Sequence, residues 1–161
     1  MQEDLNSLNE EEIMETILKR EILVSLVASQ AHEDWRREWK SQNGETARVK
    51  KTTDTAWAAA HNGKDHLDIA ATAYEDLPSD WQRENRLAAE VAVDAVIAAL
   101  EQGRVMDSLF IEEVSAICHE KWIERNALWA SAEQKRSYFE LPESEKEKDR
   151  LFVRRAMVAV A

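Results

Sequence analysis

Glycine and proline are scarce in this chain of 161 residues, which contains three glycines and two prolines. A protein rich in β-sheet needs many tight turns, and these two residues are the ones that form them most readily. Alanine, glutamate, leucine, arginine and lysine are plentiful instead, and all of them favour helix. The composition therefore predicts a mainly α-helical fold.

Cysteine is nearly absent, since Cys118 is the single one and cannot form an internal disulfide. It lies within an apolar helical pattern, where a buried and unreactive thiol is the common state. No stretch approaches the roughly 18 apolar residues that a membrane-spanning helix requires. The acidic segment 1–12 has the wrong charge for a secretory signal. We therefore expect a cytoplasmic protein in a reducing compartment, with no membrane partner.

Positive charge is in short supply, with 21 Lys and Arg residues against 32 Asp and Glu residues and a formal net charge of −11. Such a chain repels the phosphate backbone of DNA and RNA, so a polymeric nucleic acid is not an expected partner. The charge leaves open an acidic factor that covers a basic surface on a target protein. The carboxylates of residues 10–12 and 143–147 would support that role.

Two segments of the chain carry the same motifs in the same order. The first has His32-Glu33-x-Trp35, Tyr74-x-x-Leu77-Pro78 and Arg86-Leu87, and the second has His119-Glu120-x-Trp122, Tyr138-x-x-Leu141-Pro142 and Arg150-Leu151. An internal duplication is the simplest explanation, and two copies of one unit pack naturally about a pseudo-twofold axis. We predict a flexible lead-in at 1–9, a first repeat at 10–101 and a second at 104–161, with the site at their seam.

Apolar residues recur at helical spacing in four long segments. Asn9 is the expected N-cap of the first helix, which should end near Asn43-Gly44. The second helix is expected to follow Leu77-Pro78 with Ser79 as its cap. The third is expected over residues 106–130, and the fourth from Glu143 to the C-terminus. The predicted fold is two pseudo-symmetric helix-loop-helix repeats packed as one domain.

The loop of the first repeat is the longer one, since 45 residues lead from His32 to Leu77 and 22 from His119 to Leu141. Residues 44–78 carry a basic island in this otherwise acidic chain: Arg48, Lys50, Lys51 and Lys64, together with His61 and His66. We expect mostly ordered loop here, with a short helix at 53–61 and a short apolar piece at 67–73. The asymmetry predicts that the first repeat supplies most of the ligand contacts.

The shared motifs resemble the ryanodine-receptor repeat domain, a module found in tandem in those channels and also in bacterial and phage proteins. The resemblance is carried by His119-Glu120-x-Trp122 with residues 141–150, and by His32-Glu33-x-Trp35 with residues 76–82. It covers residues 20–101 and 107–161. The chain departs from the family in its second copy, which lacks the glycine-containing stretch and the His-Pro pair that usually lie between the two motifs.

The resemblance implies a ligand pocket in which an adenine nucleotide lies between aromatic rings of the paired repeats. By position those rings are Trp35 and Trp122. Two indoles that face each other would stack on a purine, with each contact worth about 1–3 kcal/mol. The basic island would then meet the phosphate charge. The predicted ligand-binding set is Trp35, Trp122, His32, His119, Tyr74, Tyr138, Arg48, Lys50, Lys51 and Lys64.

Each of these residues also has a purely structural interpretation. A tryptophan on the apolar stripe of a helix usually belongs to the core. The two histidines would hydrogen-bond within the fold, because neither is followed after four residues by the second histidine that a zinc helix needs. The two tyrosines would cover the start of the following helix. The alternating charges of residues 143–150 would form a solvated helix face.

Catalysis is not indicated, because the sequence shows no glycine-rich phosphate loop, nucleophile motif or metal-binding pattern. We expect a non-catalytic domain that binds a nucleotide or nucleotide-derived signal without a cofactor, as a sensor or as a sponge that sequesters the signal. The alternative is an acidic protein-interaction factor, such as a phage-type inhibitor of a basic target. A nucleotide hydrolase is a third interpretation, for which no base can be named.

Overall fold

The structure is a computed structural model that describes residues 9–161, so most of the predicted lead-in lies outside the described residues. The elements in chain order are α1 (Glu10–Asn43), β1 (Val49–Lys51), α2 (Thr55–Ala60), β2 (His66–Asp68), α3 (Ser79–Glu101), α4 (Ser108–Asn126) and α5 (Glu143–Val160). Short 3-10 turns at Tyr74–Asp76 and Tyr138–Glu140 precede α3 and α5. The predicted mainly helical fold is confirmed.

Helix α1 begins and ends at the predicted residues. The side chain of Asn9 accepts a hydrogen bond from the Glu12 N–H at 2.9 Å, and the acidic first turn suits the positive end of the helix dipole. At the other end Gly44 adopts a φ of +61° while its N–H donates to the Lys40 carbonyl at 2.8 Å. A side chain would be strained in this left-handed conformation, which explains why the helix ends on glycine.

The start of α3 corrects one prediction, because Ser79 is the first helical residue and not the cap. Its N–H and its hydroxyl both donate to Asp54 Oδ2, at 2.9 and 2.8 Å. Asp54 is also the N-cap of α2, and these hydrogen bonds hold the pKa of its carboxyl below the usual value. In return Asp80, in the first turn of α3, accepts from the Thr52 hydroxyl and the Thr53 N–H at 2.6 and 2.9 Å. The two aspartates form a reciprocal latch between the 52–54 segment and α3.

Residues 44–78 contain more regular structure than predicted. The expected short helix is present as α2, but β1 and β2 also pair as an antiparallel ribbon in which Lys50 lies opposite Leu67. An isolated two-stranded ribbon is marginal in water. This one is held by a small apolar cluster at its inner face, formed by Leu67, Ile69, Leu77, Trp35, Trp57, Tyr74 and Trp81.

The four long helices share one core to which both predicted repeats contribute. Helices α3 and α5 pack against each other, and α1 and α4 each pack against both of them. Alanine and valine make up most of this core, and Ala92, Val93 and Val96 of α3 and Val153 and Ala156 of α5 are fully buried in it. The seam at which the sequence predicts a ligand site is therefore closed by close packing of small side chains.

The two motif-bearing segments share their local geometry. His32 Nε2 bonds the Thr72 carbonyl at 2.8 Å, and His119 Nε2 bonds the Arg136 carbonyl at 2.7 Å. Each carbonyl lies two residues before the tyrosine that begins a 3-10 turn. Burial lowers the pKa of His32, which suits a neutral ring that donates from Nε2. The internal duplication itself stays a prediction.

The charged run 143–150 is not only a solvated face. Arg150 Nε donates to Glu112 at 2.6 Å, and the buried Tyr138 hydroxyl donates to the same carboxylate at 2.6 Å. Burial, together with the hydrogen bond to Glu112, raises the pKa of Tyr138 to about 12. This three-residue network joins α4 to the 3-10 turn at Tyr138–Glu140 and to α5. Arg150 therefore has a structural role that its charge pattern does not reveal.

Replacing Val96 by alanine is expected to lower the free energy of unfolding by about 2–3 kcal/mol, because it removes two buried methyl groups from the α3–α5 contact and leaves a cavity. Val158→Ala on α5 is the matched control, since Val158 is 70% exposed and should change stability little. Urea unfolding followed by circular dichroism measures both. Equal decreases in the free energy of unfolding for the two variants would contradict the burial of Val96 in the core.

Candidate functional site

A cluster of aromatic rings lies along the C-terminal half of α1. Trp35 and Trp39 are four residues apart and so share a helix face, with ring centroids 5.8 Å apart. His32 stacks on Trp35, also at 5.8 Å between centroids. The Trp39 indole N–H donates to the Thr46 carbonyl at 2.7 Å, which fixes the ring against the chain that leads into β1.

Two cations from the basic island meet this aromatic cluster. The Arg48 guanidinium lies over the Trp39 ring, 5.6 Å from its centroid. Lys50 follows two residues later in an extended segment, so both side chains leave the same face of the chain. Among residues 9–161, no carboxylate lies within ion-pair distance of either side chain. We call Trp35, Trp39, Arg48, Lys50 and Lys148 the tryptophan–cation cluster.

Lys50 is the unusual member, because it is half-buried on the inner face of the ribbon beside Leu67. Burial lowers the pKa of its ammonium group, and repulsion from Arg48 and Lys148 lowers it further, against the attraction of Glu145. Lys148 belongs to α5 and is itself paired with Glu145 at 3.0 Å. Lys148 thus adds positive charge to the surroundings of Lys50, and its own pairing with Glu145 offsets that charge.

The position of α5 beside this site is fixed by an ion pair. Arg155 on α5 donates through Nε and Nη2 to the two oxygens of Asp34, at 2.5 and 2.7 Å. Asp34 precedes Trp35 on α1, and the Arg155 guanidinium holds the pKa of its carboxyl below the usual value. This bidentate ion pair joins α1 to α5. Its two parallel hydrogen bonds fix the relative orientation of the side chains more strictly than a lysine pair would.

Trp39 also lines a surface groove with a cavity volume of about 340 Å³. One wall is α1 from Glu33 to Lys40, and the other consists of residues 44–46, Asp68, Ala70 and Ala71. Arg36 joins the walls, because its Nε donates to the Ala70 carbonyl at 3.0 Å while Glu33 pairs with its Nη1. The volume lies at the lower end of the range for small-molecule sites.

The structure brings together some of the predicted site residues of the first repeat. Trp35, His32, Arg48 and Lys50 lie in or beside the tryptophan–cation cluster, and Tyr74 lies 6.5 Å from the His32 ring. Lys51 and Lys64 are exposed, and Lys51 lies 3.9 Å from Asp65. The alternation of side chains along β1 explains this split, because Lys50 and Lys51 necessarily point to opposite faces.

Trp122 lies in a different aromatic cluster. It stacks on His119 with centroids 6.1 Å apart and meets the exposed Trp129 edge to face at 5.7 Å. Its helix, α4, packs on the α3–α5 pair, and α1 packs on the same pair. Among the described residues no ring contact joins Trp35 to Trp122, so the two tryptophans belong to separate aromatic clusters. Tyr138 is buried in the same half and bonded to Glu112, away from any open surface.

Two residues of the cluster were missed by the sequence reasoning. Trp39 carried a usable signal, because it lies four residues after Trp35 on the same helix face. Lys148 carried none, since it sits in an alternating charge run whose other lysine, Lys146, pairs locally with Glu143. The two lysines differ in the folded chain, where the charge of Lys148 acts on Lys50.

The remaining cysteine and histidine side chains are buried or contact neighbouring residues. Cys118 is 2% exposed, and burial raises the pKa of its thiol, so it is a poor nucleophile at neutral pH. His61 stacks on Trp57 with centroids 3.8 Å apart, and His66 bonds Asp65. Within the described part of the chain, no group of three or more His, Cys, Asp or Glu side chains is arranged to hold a metal ion.

Comparisons with protein-family models, with curated proteins and with solved structures found no match to this chain. The resemblance to the ryanodine-receptor repeat therefore stays a prediction. None of the helices between residues 9 and 161 combines the length and apolar character that crossing a bilayer requires.

Asp149 on α5 is half-buried and lies 4.0 Å from His119 Nδ1, and loss of water around its carboxyl raises the pKa to about 7. The folded protein therefore favours the protonated, neutral carboxyl. At pH 4 this carboxyl does not lower the free energy of unfolding, but as the pH rises towards 8 its ionisation does. Asp149→Asn is expected to raise the melting temperature at pH 8 by about 4 °C or more, with no gain at pH 4.

Scanning calorimetry at pH 4, 6 and 8 measures this difference. Asp94→Asn is the control, because Asp94 is exposed and paired with Arg20, so its amide should bring no gain at any pH. A loss of stability for Asp149→Asn at pH 8 would show that the carboxylate is ionised and paired in the folded protein.

Proposed function

We propose that the protein is a non-catalytic small-molecule binding protein whose ligand, a nucleotide or nucleotide-derived anion, is held at the tryptophan–cation cluster. The observation that carries the proposal is Lys50, a half-buried lysine on the inner face of a ribbon with no carboxylate within ion-pair distance among the described residues. Arg48 and Lys148 both act on its charge, and Lys148 is itself paired with Glu145.

Electrostatics support an anionic ligand. A buried cation without a counter-ion is costly, and like charges nearby increase that cost. An incoming phosphate group offsets it and forms charge-assisted hydrogen bonds with the ammonium and guanidinium groups. In a chain of net charge −11, Arg48 and Lys50 are two cations whose side chains have no paired carboxylate among residues 9–161, and an anion would neutralise them.

The neighbouring rings suit the aromatic part of such a ligand. Trp39 lies under Arg48 and also lines the groove, so a single indole borders both the cationic side and an open cavity. A base in the groove would contact the indole while its phosphate reached Arg48 and Lys50. Base–aromatic contacts of this kind contribute about 1–3 kcal/mol each.

This arrangement differs from a clamp formed by equivalent residues of two repeats. The ligand would contact α1 and the ribbon of the first half, with Lys148 as the contribution of the second half. Trp122 and His119 would have no contact with it. The binding protein could act as a sensor or as a sponge, and both roles require the same site.

Lys50→Met is expected to weaken binding of the tightest ligand from a panel of mononucleotides and cyclic nucleotides by about 10–100-fold, because a charge-assisted hydrogen bond contributes about 1.5–3 kcal/mol. Methionine keeps the apolar length of the side chain, so the ribbon should still fold. Lys64→Met is the matched control and should change affinity less than about twofold. Isothermal titration calorimetry measures all three proteins; equal losses for both variants would exclude Lys50 as the phosphate contact.

Trp39→Leu is expected to lower the same affinity by about tenfold or more, since it removes the ring that borders the groove. Trp129→Leu and Trp122→Leu remove tryptophans of the second cluster and should leave the affinity unchanged. If Trp122→Leu weakens binding as much as Trp39→Leu does, the ligand is held between Trp35 and Trp122 instead. If wild-type protein binds no nucleotide of the panel, the acidic protein-interaction factor becomes the better explanation.

A further inference from the structure

His119 on α4 faces two hydrogen-bond acceptors from different parts of the second half. Its Nε2 bonds the Arg136 carbonyl at 2.7 Å, and its Nδ1 lies 4.0 Å from Asp149 Oδ2 on α5. The residue is 7% exposed, so the protein largely shields both ring nitrogens from water. Arg136 belongs to the segment 127–137, which leads from α4 to the 3-10 turn at Tyr138–Glu140. One imidazole therefore lies between that segment and α5.

Asp149 is the less firmly bonded of the two acceptors. Its side chain is 18% exposed, and among residues 9–161 its carboxylate accepts no direct hydrogen bond. A separation of 4.0 Å from His119 Nδ1 allows the two groups to share one proton, either through a water molecule or after a small side-chain rotation. The buried Cys118 thiol on α4 also senses this carboxylate, whose negative charge adds to burial in raising the pKa of the thiol.

Charges of both signs act on Asp149 from the helices packed around it. Lys148 on α5 and Arg125 on α4 favour its ionised form, and Glu145 on α5 opposes it. Arg125 is itself paired with Glu84 of α3 at 3.1 Å, which offsets part of its charge. Loss of water is the largest effect and raises the pKa of the Asp149 carboxyl to about 7. The carboxyl therefore changes its charge close to neutral pH.

We propose that His119 and Asp149 form a pH switch, which holds the segment 127–137 while the pair shares a proton and releases the segment when that proton is lost. With a proton between Nδ1 and the carboxylate, the Nε2–H is free to donate to the Arg136 carbonyl. Without it, the neutral ring has one N–H for two acceptors. The ionised carboxylate is the stronger acceptor, so it takes this N–H.

The change is a tautomer exchange of the His119 ring. Solvent takes the proton from Nε2 and supplies one to Nδ1, so the neutral imidazole still carries a single N–H. The Nε2 lone pair then faces the Arg136 carbonyl, and two acceptors cannot form a hydrogen bond. The segment 127–137 thus loses its bond to α4 as the pH rises above neutrality. This switch does not depend on the proposed nucleotide site.

The first half of the chain has the same histidine bond without the acid. Asn85 corresponds in sequence to Asp149, because each directly precedes an Arg-Leu pair. The Asn85 side-chain amide donates to the Trp81 carbonyl at 3.0 Å and has no proton to lose near neutral pH. His32 Nε2 bonds the Thr72 carbonyl at 2.8 Å, and among residues 9–161 no carboxylate lies within ion-pair distance of its ring. His32 therefore serves as an internal reference.

Long-range ¹H–¹⁵N NMR correlations show which ring nitrogen carries the proton. At pH 6 we expect a proton on His119 Nε2 in both the wild type and Asp149→Asn. At pH 9 the wild type should carry it mainly on Nδ1, whereas the variant should keep it on Nε2. His32 should keep its Nε2 proton in both proteins. Wild-type His119 that retains the Nε2 proton at pH 9, or that changes equally in the variant, would overturn the proposal.

Trypsin tests the release of the segment, because it cuts after Lys135 and Arg136. At pH 8.5 the wild type should be cut there about three to ten times faster than Asp149→Asn, as expected for loss of one hydrogen bond. At pH 6 the two rates should be equal. Cleavage after Arg104, in the loop between α3 and α4, is the control and should not differ between the proteins. An equal difference at Arg104 would indicate a change in global stability and contradict the switch.

Discussion

The close contact between α3 and α5 determines the rest of the structure. Both helices bury alanines and valines in the shared core, and α1 and α4 each pack on the pair. Each aromatic cluster then forms beside its own 3-10 turn, next to the histidine that bonds the turn. Small side chains in the core thus explain why the tryptophans lie outside it.

The candidate site depends on where the ribbon places one lysine. Because side chains alternate along a strand, Lys50 shares the inner face with Leu67 while its neighbours point outward. The same apolar cluster that holds the ribbon against Trp35 also keeps this ammonium group partly away from water. The anion site proposed above depends on this lysine, which occupies an inner-face position that an alternating strand otherwise fills with an apolar residue.

Local signals in the sequence predicted the helix ends well, because Asn9, Gly44 and the two prolines act through their own backbone geometry. The ribbon was missed because three-residue strands are too short to show alternation. The repeated motif identified Trp35 as a candidate site residue, and the basic island identified Arg48 and Lys50. The pairing of Trp35 with Trp122 could not be judged, since it depends on how closely two distant helices approach. Lys148 was hidden for the same reason.

The reciprocal latch between Asp54 and Asp80 links the order of the ribbon to the first turn of α3. Each aspartate satisfies backbone donors on the other segment, so fraying of one end removes the cap of the other. The segment beside the candidate site therefore opens and closes as one cooperative unit with a core helix. A molecule that binds the ribbon would slow amide exchange in α3 as well as in its own surroundings.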